Sequence, residues 1–305
     1  MGPAPKLAPA FRPETDNVPS PENSEPRDPD ALREALEVAT LAAETAGECL
    51  LSHFDALDEA DIGFKGQRDL VTRADRDAES LIVERLRAHF PQDAIWAEEG
   101  GKVAEGSHQW IIDPLDGTTN FVHSLPIFGV SIARVDPSGE PELGVVLVPR
   151  LGELYTAGRG LGARRNGVPI HVSTRTELKN SLLATGFHYE RQTRDDSNVG
   201  SFNKFVLHVR GIRRMGAASV DLAYVAAGRL DGYWEPHLSP WDVAAGALLV
   251  REAGGRVTDM VGGNDWLHGA HIVASNGTDL HGRILDVLAT PLPGWADMQR
   301  RIGGA

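Results

Sequence analysis

The stretch that decides the fold is Trp110-Ile111-Ile112-Asp113-Pro114-Leu115-Asp116-Gly117-Thr118-Thr119-Asn120-Phe121. Its apolar strand ends in two carboxylates, Asp113 and Asp116, and a turn of glycine and threonine follows. The proline between the aspartates fixes a bend as the chain leaves the strand, so we expect both side chains to turn toward one point. A helix opening at this turn would direct its first free amides there, and such amides favour phosphate. The stretch therefore predicts a place where cations meet a phosphate.

Composition indicates a soluble globular protein. With 305 residues and 41 % apolar composition, the chain can bury the core of one or two domains. No apolar run approaches the ~18 residues of a membrane span, and the first thirty residues lack a signal-peptide stretch, so we expect a cytoplasmic protein without membrane contact. The single cysteine, Cys49, excludes an internal disulfide and a cysteine zinc site, and its helical surroundings predict a buried apolar role.

The charge balance limits the partners. A net charge of −13, from 43 acidic and 30 basic residues, argues against general nucleic-acid binding, which needs a basic face. Two unit charges about 4 Å apart repel by roughly 4 kcal/mol at an effective dielectric near 20. A phosphate could therefore approach clustered carboxylates only with divalent cations between them.

The chain divides into three parts by pattern. Residues 1–29 are rich in proline and predict a disordered tail, and a soft boundary near 173–180 separates residues 30–175 from 176–305. Asp28 and Pro29 are typical of a helix start, and a second helix is expected from Asp75 to Phe90. Further helices are expected at 197–209, 220–227 and 243–253. Strands are expected at 69–72, 129–135, 143–148, 153–156, 182–185, 212–215, 232–235, 256–259 and 271–274, with a hairpin turn at Asn166-Gly167.

Four stretches place acidic residues beside strand ends or helix starts: Asp69 to Asp75, Glu98-Glu99, Asp113 with Asp116, and Asp242. An oxygen-only set of this kind suits hard cations, Mg²⁺ above all, and not zinc. Each stretch also has a structural interpretation. Asp75 and Asp242 could be plain helix N-caps, the glutamate pair a solvated loop, and Asp113 with Asp116 a turn.

Three segments are informative together: Asp113-Pro114-Leu115-Asp116-Gly117-Thr118-Thr119-Asn120-Phe121, Trp241-Asp242-Val243-Ala244-Ala245-Gly246 and Glu252-Ala253-Gly254-Gly255. With the Asp69 stretch and the glutamate pair before them, they resemble the inositol monophosphatase family over about residues 30–290. The resemblance implies an α/β (α+β) fold, a layered αβαβα sandwich of the inositol monophosphatase and fructose-1,6-bisphosphatase type. It also implies that residues 30–175 bind metal and phosphate and that residues 176–305 recognise the substrate.

The resemblance implies hydrolysis of a phosphate monoester by water, with two or three Mg²⁺ ions and no phosphoenzyme. Glu98, Asp113 and the Leu115 carbonyl would bind the first metal, and Asp113, Asp116 and Asp242 the second. A water beside Glu98 would be the nucleophile, oriented by Thr118, whose hydroxyl Asp75 would hold. The amides of Gly117 and Thr118 would bind phosphate oxygens. Lys65 would support the loop that carries metal and water, with a surface lysine as its structural alternative.

The resemblance places the alcohol portion of the substrate beside Gly216-Ala217-Ala218 and Glu235, together with Asp116 and Asp242. Glu235 would accept hydrogen bonds from sugar or cyclitol hydroxyls. Many relatives carry Thr or Ser where this chain has Ala217, so one hydroxyl contact is expected to be missing here.

The favoured function is hydrolysis of inositol 1-phosphate, a cyclitol phosphate, with lithium sensitivity and a homodimer as properties typical of the family. Alternatives on the same fold are fructose-1,6-bisphosphatase, histidinol phosphatase and nucleotide 3′-phosphatase. A regulatory interaction protein on the phosphatase scaffold is the non-enzymatic alternative.

Overall fold

The computed structural model describes residues 28–54, 56, 62–64, 70–103, 105–189 and 197–290. The helices within these ranges are α1 (Pro29–His53), α2 (Arg73–His89), α3 (Thr118–Val122), α4 (Val199–Val206), α5 (Ala218–Ala226), α6 (Pro240–Glu252) and α7 (Leu280–Ala289). The strands are β1 (Ile62–Phe64), β2 (Leu70–Thr72), β3 (Ala94–Ala97), β4 (Gly101–Val103), β5 (Gln109–Asp116), β6 (Gly129–Val135), β7 (Pro141–Val148), β8 (Glu153–Gly158), β9 (Gly162–Arg165), β10 (Val168–Pro169), β11 (Leu182–Thr185), β12 (Gly211–Arg213), β13 (Gly232–Pro236), β14 (Arg256–Thr258) and β15 (His271–Ser275).

Two large sheets and three helical layers alternate through the molecule. The first sheet has the strand order β10-β9-β8-β7-β6-β5-β3-β4, and the second has the order β12-β11-β13-β15-β14. An apolar cluster joins α1 and α2 to one face of the first sheet, a second cluster fills the space around α5 and α6, and a third packs α4 and α7 on the second sheet. The layers therefore follow the order αβαβα, which confirms the predicted fold class.

A bulge in β5 positions the two aspartates of the deciding stretch. Asp113 pairs with Ser131 of β6 and Asp116 pairs with Gly129, so β5 carries one extra residue between these pairs. In a regular strand, side chains three residues apart point to opposite faces of the sheet. The extra residue shifts this alternation by one, so Asp113 and Asp116 can point to the same face. The strand ends in the two aspartates as expected, and the bend expected between them lies within β5 as this bulge.

Helices α2 and α6 begin two and three residues earlier than their sequences predicted. Helix α2 begins at Arg73 with Thr72 as its N-cap, and α6 begins at Pro240 with Ser239 as its N-cap. Asp75 and Asp242 therefore lie at the third helical position and are not N-caps. The pattern of Ser or Thr followed three residues later by an acid is the signal for this arrangement.

The remaining differences are small. The other expected strands and helices are present with ends shifted by a few residues, and β1, β3, β4 and α7 were not predicted. Cys49 is half-buried, whereas its sequence context predicted a buried residue.

Some predictions lie outside the described residues: the tail up to residue 27, Lys65, Asp69 and the end of the second subregion from residue 291. In the parts that are described, no helix is long and apolar enough to cross a bilayer.

A buried histidine links α7 to the second sheet. Ser275 Oγ lies 2.9 Å from His281 Nδ1, and Thr258 Oγ1 lies 3.0 Å from His281 Nε2. Burial, aided by the charge of Arg256, lowers the pKa of His281 from 6.5 to about 4. The imidazole is therefore neutral in the folded protein at pH 7.

Acid should destabilise the fold through His281. The unfolded chain binds a proton at this residue below pH 6.5 and the folded chain only below about pH 4, so stability is lost as the pH falls through that window. Between pH 7.5 and pH 5 we expect a loss of about 2 kcal/mol from this group. Urea unfolding of the wild type and His281→Gln at both pH values measures it. Equal pH dependence in the two proteins would contradict the assignment.

Candidate active site

A cavity of about 200 Å³ lies where the end of β5 meets the starts of α5 and α6. Its walls contain most of the residues that the sequence singled out: Glu98, Asp113, Leu115, Asp116, Gly117, Thr118, Gly216, Ala217, Ala218, Glu235 and Asp242. Asp75 lies behind this wall in contact with Thr118. Residues from both halves of the chain, more than one hundred positions apart in places, thus share one cavity.

Three aspartates form the centre of the site. Carboxylate oxygens of Asp113, Asp116 and Asp242 all lie within 4.8 Å of one another. Burial and the neighbouring carboxylates raise the pKa of Asp113 and of Asp242 well above the ordinary value. Burial likewise raises the pKa of Asp116, to about 6, although hydrogen bonds from α5 oppose the shift. The neighbouring Glu98 carboxylate contributes to the raised pKa of Asp113.

The donor set fits a hard divalent cation. The cluster offers carboxylate oxygens, which are the ligands that Mg²⁺ prefers. Within the described ranges, no ion pair to Lys, Arg or His involves Asp113, Asp116 or Asp242. Since buried carboxylates in contact need a compensating charge, the residues that the structure describes leave this cluster uncompensated. Cations from solution would supply that charge.

Each carboxylate is held by one hydrogen bond or more from nearby backbone. Asp113 Oδ1 accepts the Leu115 amide at 3.0 Å, and Asp242 Oδ2 accepts the Ser239 amide at 2.6 Å. These bonds fix the orientation of the side chains before any ligand arrives. Preorganised ligands of this kind lose little freedom when a cation binds.

Asp116 is held by the first turn of α5. Its Oδ1 accepts the Ala218 amide at 3.2 Å, and its Oδ2 accepts both the amide and the hydroxyl of Ser219, at 2.7 Å and 2.5 Å. Ala217 has no hydroxyl, as expected, but Ser219, two residues later, supplies one to Asp116. The sequence analysis missed Ser219, since its only signal is a serine next to the predicted substrate residues.

Thr118 links the cavity to α2. Its Oγ1 lies 3.2 Å from Asp75 Oδ1 and 3.1 Å from the Leu115 carbonyl. Asp75 is almost fully buried, which raises its pKa to about 6, and its Oδ2 accepts the Thr72 amide at 2.8 Å and the Thr72 hydroxyl at 2.5 Å. Asp75 therefore caps the start of α2 and also accepts a hydrogen bond from the Thr118 hydroxyl.

A second residue of α2 was missed by the sequence analysis. Glu79 Oε2 accepts the Glu99 amide at 2.9 Å, and so it holds the turn that carries Glu98. Burial raises the pKa of the Glu79 carboxyl. Glu79 follows Asp75 by four residues, and this spacing places both on one helix face, which is the signal that could have identified it.

Glu235 lines the same cavity. Tyr233 Oη donates a hydrogen bond of 2.5 Å to Glu235 Oε2, and burial raises the pKa of Glu235 to about 7. A Cβ atom at Gly186 would lie only 2.0–2.4 Å from atoms of the Glu235 carboxylate, so a side chain at this position would displace that carboxylate. Gly186, His188, Arg214 and His237 also line the cavity, and sequence spacing gave no signal for them.

Comparison with known proteins identifies the family. A model of the inositol monophosphatase family matches residues 31–290. The chain belongs to the inositol monophosphatase family. Its members are metal-dependent phosphatases, and the acidic cluster described above could hold metal.

Sequenced relatives in this family have two kinds of name. A protein from Pseudomonas aeruginosa named Nus factor SuhB is 48 % identical over 252 residues, which cover 80 % of this chain and 92 % of that protein. An inositol-1-monophosphatase from Mesorhizobium japonicum is 42 % identical over 243 residues, covering 79 % of this chain and 91 % of that one.

Solved structures of relatives share the fold. Inositol monophosphatase from Anabaena superposes with a TM-score of 0.79 at 41 % identity, covering 87 % of this chain and 100 % of that one. The extragenic suppressor protein suhB from Bartonella henselae gives a TM-score of 0.81 at 39 % identity, covering 85 % of this chain and 100 % of that chain.

Asp113→Asn should weaken cation binding and raise the stability of the cation-free protein. In chelator at pH 8 we expect the variant to be more stable than the wild type by about 1–2 kcal/mol, because a neutral amide replaces a buried carboxyl that its neighbours repel. Adding Mg²⁺ should stabilise the wild type and leave the variant nearly unchanged. Thermal unfolding with and without Mg²⁺ measures both effects.

Asp231→Asn is the matched control. Asp231 is equally buried, but it accepts the Leu182 amide at 2.7 Å and pairs with Arg175 at 3.0 Å. Its substitution should destabilise the protein in chelator and leave the Mg²⁺ response intact. If Asp113→Asn also destabilised the protein in chelator, repulsion within the cluster would not be the dominant effect.

Proposed function

We propose that this protein hydrolyses a small phosphate monoester, inositol 1-phosphate first, with Mg²⁺ as cofactor and water as the nucleophile. One observation carries the proposal. The three clustered aspartates line one cavity together with Thr118 and the buried Glu235. In this proposal the aspartates bind the cations, Thr118 orients the water and Glu235 contacts the alcohol.

The ligand assignment follows the positions of the donors. Glu98, Asp113 and the Leu115 carbonyl would hold one Mg²⁺, and Asp113, Asp116 and Asp242 would hold another. Bound Mg²⁺ would lower the pKa of a bound water and neutralise the charge of the phosphate. The amides of Gly117 and Thr118 are proposed to bind phosphate oxygens at the start of α3.

Thr118 is proposed to orient the attacking water. Its hydroxyl has one proton, and when Asp75 Oδ1 accepts that proton the lone pairs of Thr118 remain for a proton of the water. The bonds from Thr72 hold the Asp75 side chain in place. Asp75 thereby acts through Thr118, and the pair forms a route by which a proton can leave the nucleophile.

Glu235 is proposed to accept hydrogen bonds from hydroxyls of the alcohol. The bond from Tyr233 fixes one of its oxygens, which leaves the other for a ligand. Gly216, Ala217 and Ala218 line the same cavity and are proposed to contact the ring. The lack of side chain at Gly186 allows Glu235 to keep this position.

Other properties stay predictions of the family resemblance: lithium sensitivity, a homodimer, a cytoplasmic location and two or three Mg²⁺ per site. Fructose 1,6-bisphosphate, histidinol phosphate and 3′-phosphonucleotides remain alternative substrates. A regulatory role is a second candidate function, because several relatives at 42–48 % identity are named Nus factor SuhB. The intact acidic cluster favours catalysis as at least one activity of this chain.

A substrate panel tests the proposal. Purified protein with Mg²⁺ should release phosphate from inositol 1-phosphate with a higher kcat/KM than from fructose 1,6-bisphosphate, histidinol phosphate or a 3′-phosphonucleotide. Chelator should abolish the release, and Mg²⁺ should restore it. No release from any of these esters would refute the phosphatase assignment and favour the regulatory candidate. A preference for another ester would correct the substrate alone.

Thr118→Val tests the proposed proton route. The substitution keeps the shape of the side chain and removes the hydroxyl, so kcat should fall by about 10²–10⁴-fold, with little change in KM or in Mg²⁺ binding. Thr119→Val is the matched control, because the described contacts show no hydrogen bond from the Thr119 hydroxyl to the site. Similar rates for both variants would exclude the role of Thr118.

A further inference from the structure

The two oxygens of Asp116 have different surroundings. A carboxylate oxygen offers about two acceptor positions. Oδ2 already accepts two hydrogen bonds, from the amide and the hydroxyl of Ser219, whereas Oδ1 accepts one, from the Ala218 amide. The remaining acceptor capacity of this side chain therefore lies on Oδ1.

We propose that Ser219 is a positioning residue that fixes Asp116 so that Oδ1 is the oxygen offered to a cation and to the substrate. The inference rests on the proposed metal-dependent function. In this proposal Ser219 does more than begin α5. Its hydroxyl and its backbone amide donate to the same carboxylate oxygen and together fix the orientation of Asp116.

Because the contact is buried, water cannot easily take the place of the Ser219 hydroxyl. Ser219 is fully buried and Asp116 is 7 % exposed, so water has no ready access to the acceptor position that Ser219 occupies. Without the hydroxyl, only the Ser219 amide would hold Oδ2, and the carboxylate could turn away from its fixed orientation. A ligand that loses its fixed orientation also loses affinity, and removing such outer partners typically weakens metal binding about 10–100-fold.

The contact also connects the two halves of the site. Asp116 ends β5 in the first sheet, and Ser219 lies in the first turn of α5 directly after the cavity residues Ala217 and Ala218. A displaced carboxylate would therefore disturb the position of the alcohol as well as that of the cation. We expect the loss of Ser219 Oγ to raise KM together with the Mg²⁺ requirement.

Ser219→Ala tests the proposal by cation binding alone, without substrate. Titration of the full-length protein with Mn²⁺, with free Mn²⁺ measured by electron paramagnetic resonance, gives the number and the affinity of the sites. We expect one class of site to weaken at least 10-fold in Ser219→Ala. Ser219→Cys keeps a weak donor and should give an intermediate affinity, and it decides the question if the alanine variant does not fold.

Ser181→Ala is the matched control. Ser181 is also fully buried, but its hydroxyl donates to the Glu177 carbonyl at 2.8 Å, away from the cavity. It should bind Mn²⁺ as the wild type does. Wild-type affinity in the Ser219 variants would overturn the role of Ser219 alone. Absence of Mn²⁺ binding in the wild type would overturn this role and the metal-dependent function together, so the two failures are distinguishable.

Discussion

Repulsion between buried carboxylates is the constraint on which the rest of this structure depends. Asp242 lies more than one hundred residues after Asp113 and Asp116 in the chain, and carboxylate oxygens of the three side chains lie within 4.8 Å of one another. Such a cluster opposes folding unless cations compensate it. A protein that retains this cluster sacrifices stability at the site for the ability to bind cations, a trade that is common at functional sites.

The fold meets this constraint with helix starts. Helices α5 and α6 begin at the cavity, and the amides of Ser219 and Ser239 donate to Asp116 and Asp242 there. The N-terminus of a helix carries partial positive charge, so these starts reduce the repulsion as well as orient the side chains. The same aspartates thus stabilise the helices that position them, and structural and functional roles coincide.

Sequence patterns predicted much of this arrangement, for physical reasons that can be named. The layered fold and the acidic set followed from long motifs whose residues lie close together along the chain. The bulge at Asp113 and Asp116 was missed because pairing with β6 decides it, and the strand sequence alone does not contain that information. Glu79 and Ser219 were missed because their importance depends on which loop and which carboxylate they meet in space. The contribution of His188, Arg214 and His237 to the cavity wall depends on tertiary packing in the same way.

The central claim is that the three aspartates bind divalent cations between the two halves of the chain. Anomalous diffraction from crystals soaked in Mn²⁺ tests it most directly, because the method locates the ion without reference to activity. The account predicts anomalous peaks at about 2.0–2.3 Å from oxygens of Asp113, Asp116 and Asp242. A fully soaked crystal with no anomalous peak among these three carboxylates would contradict it.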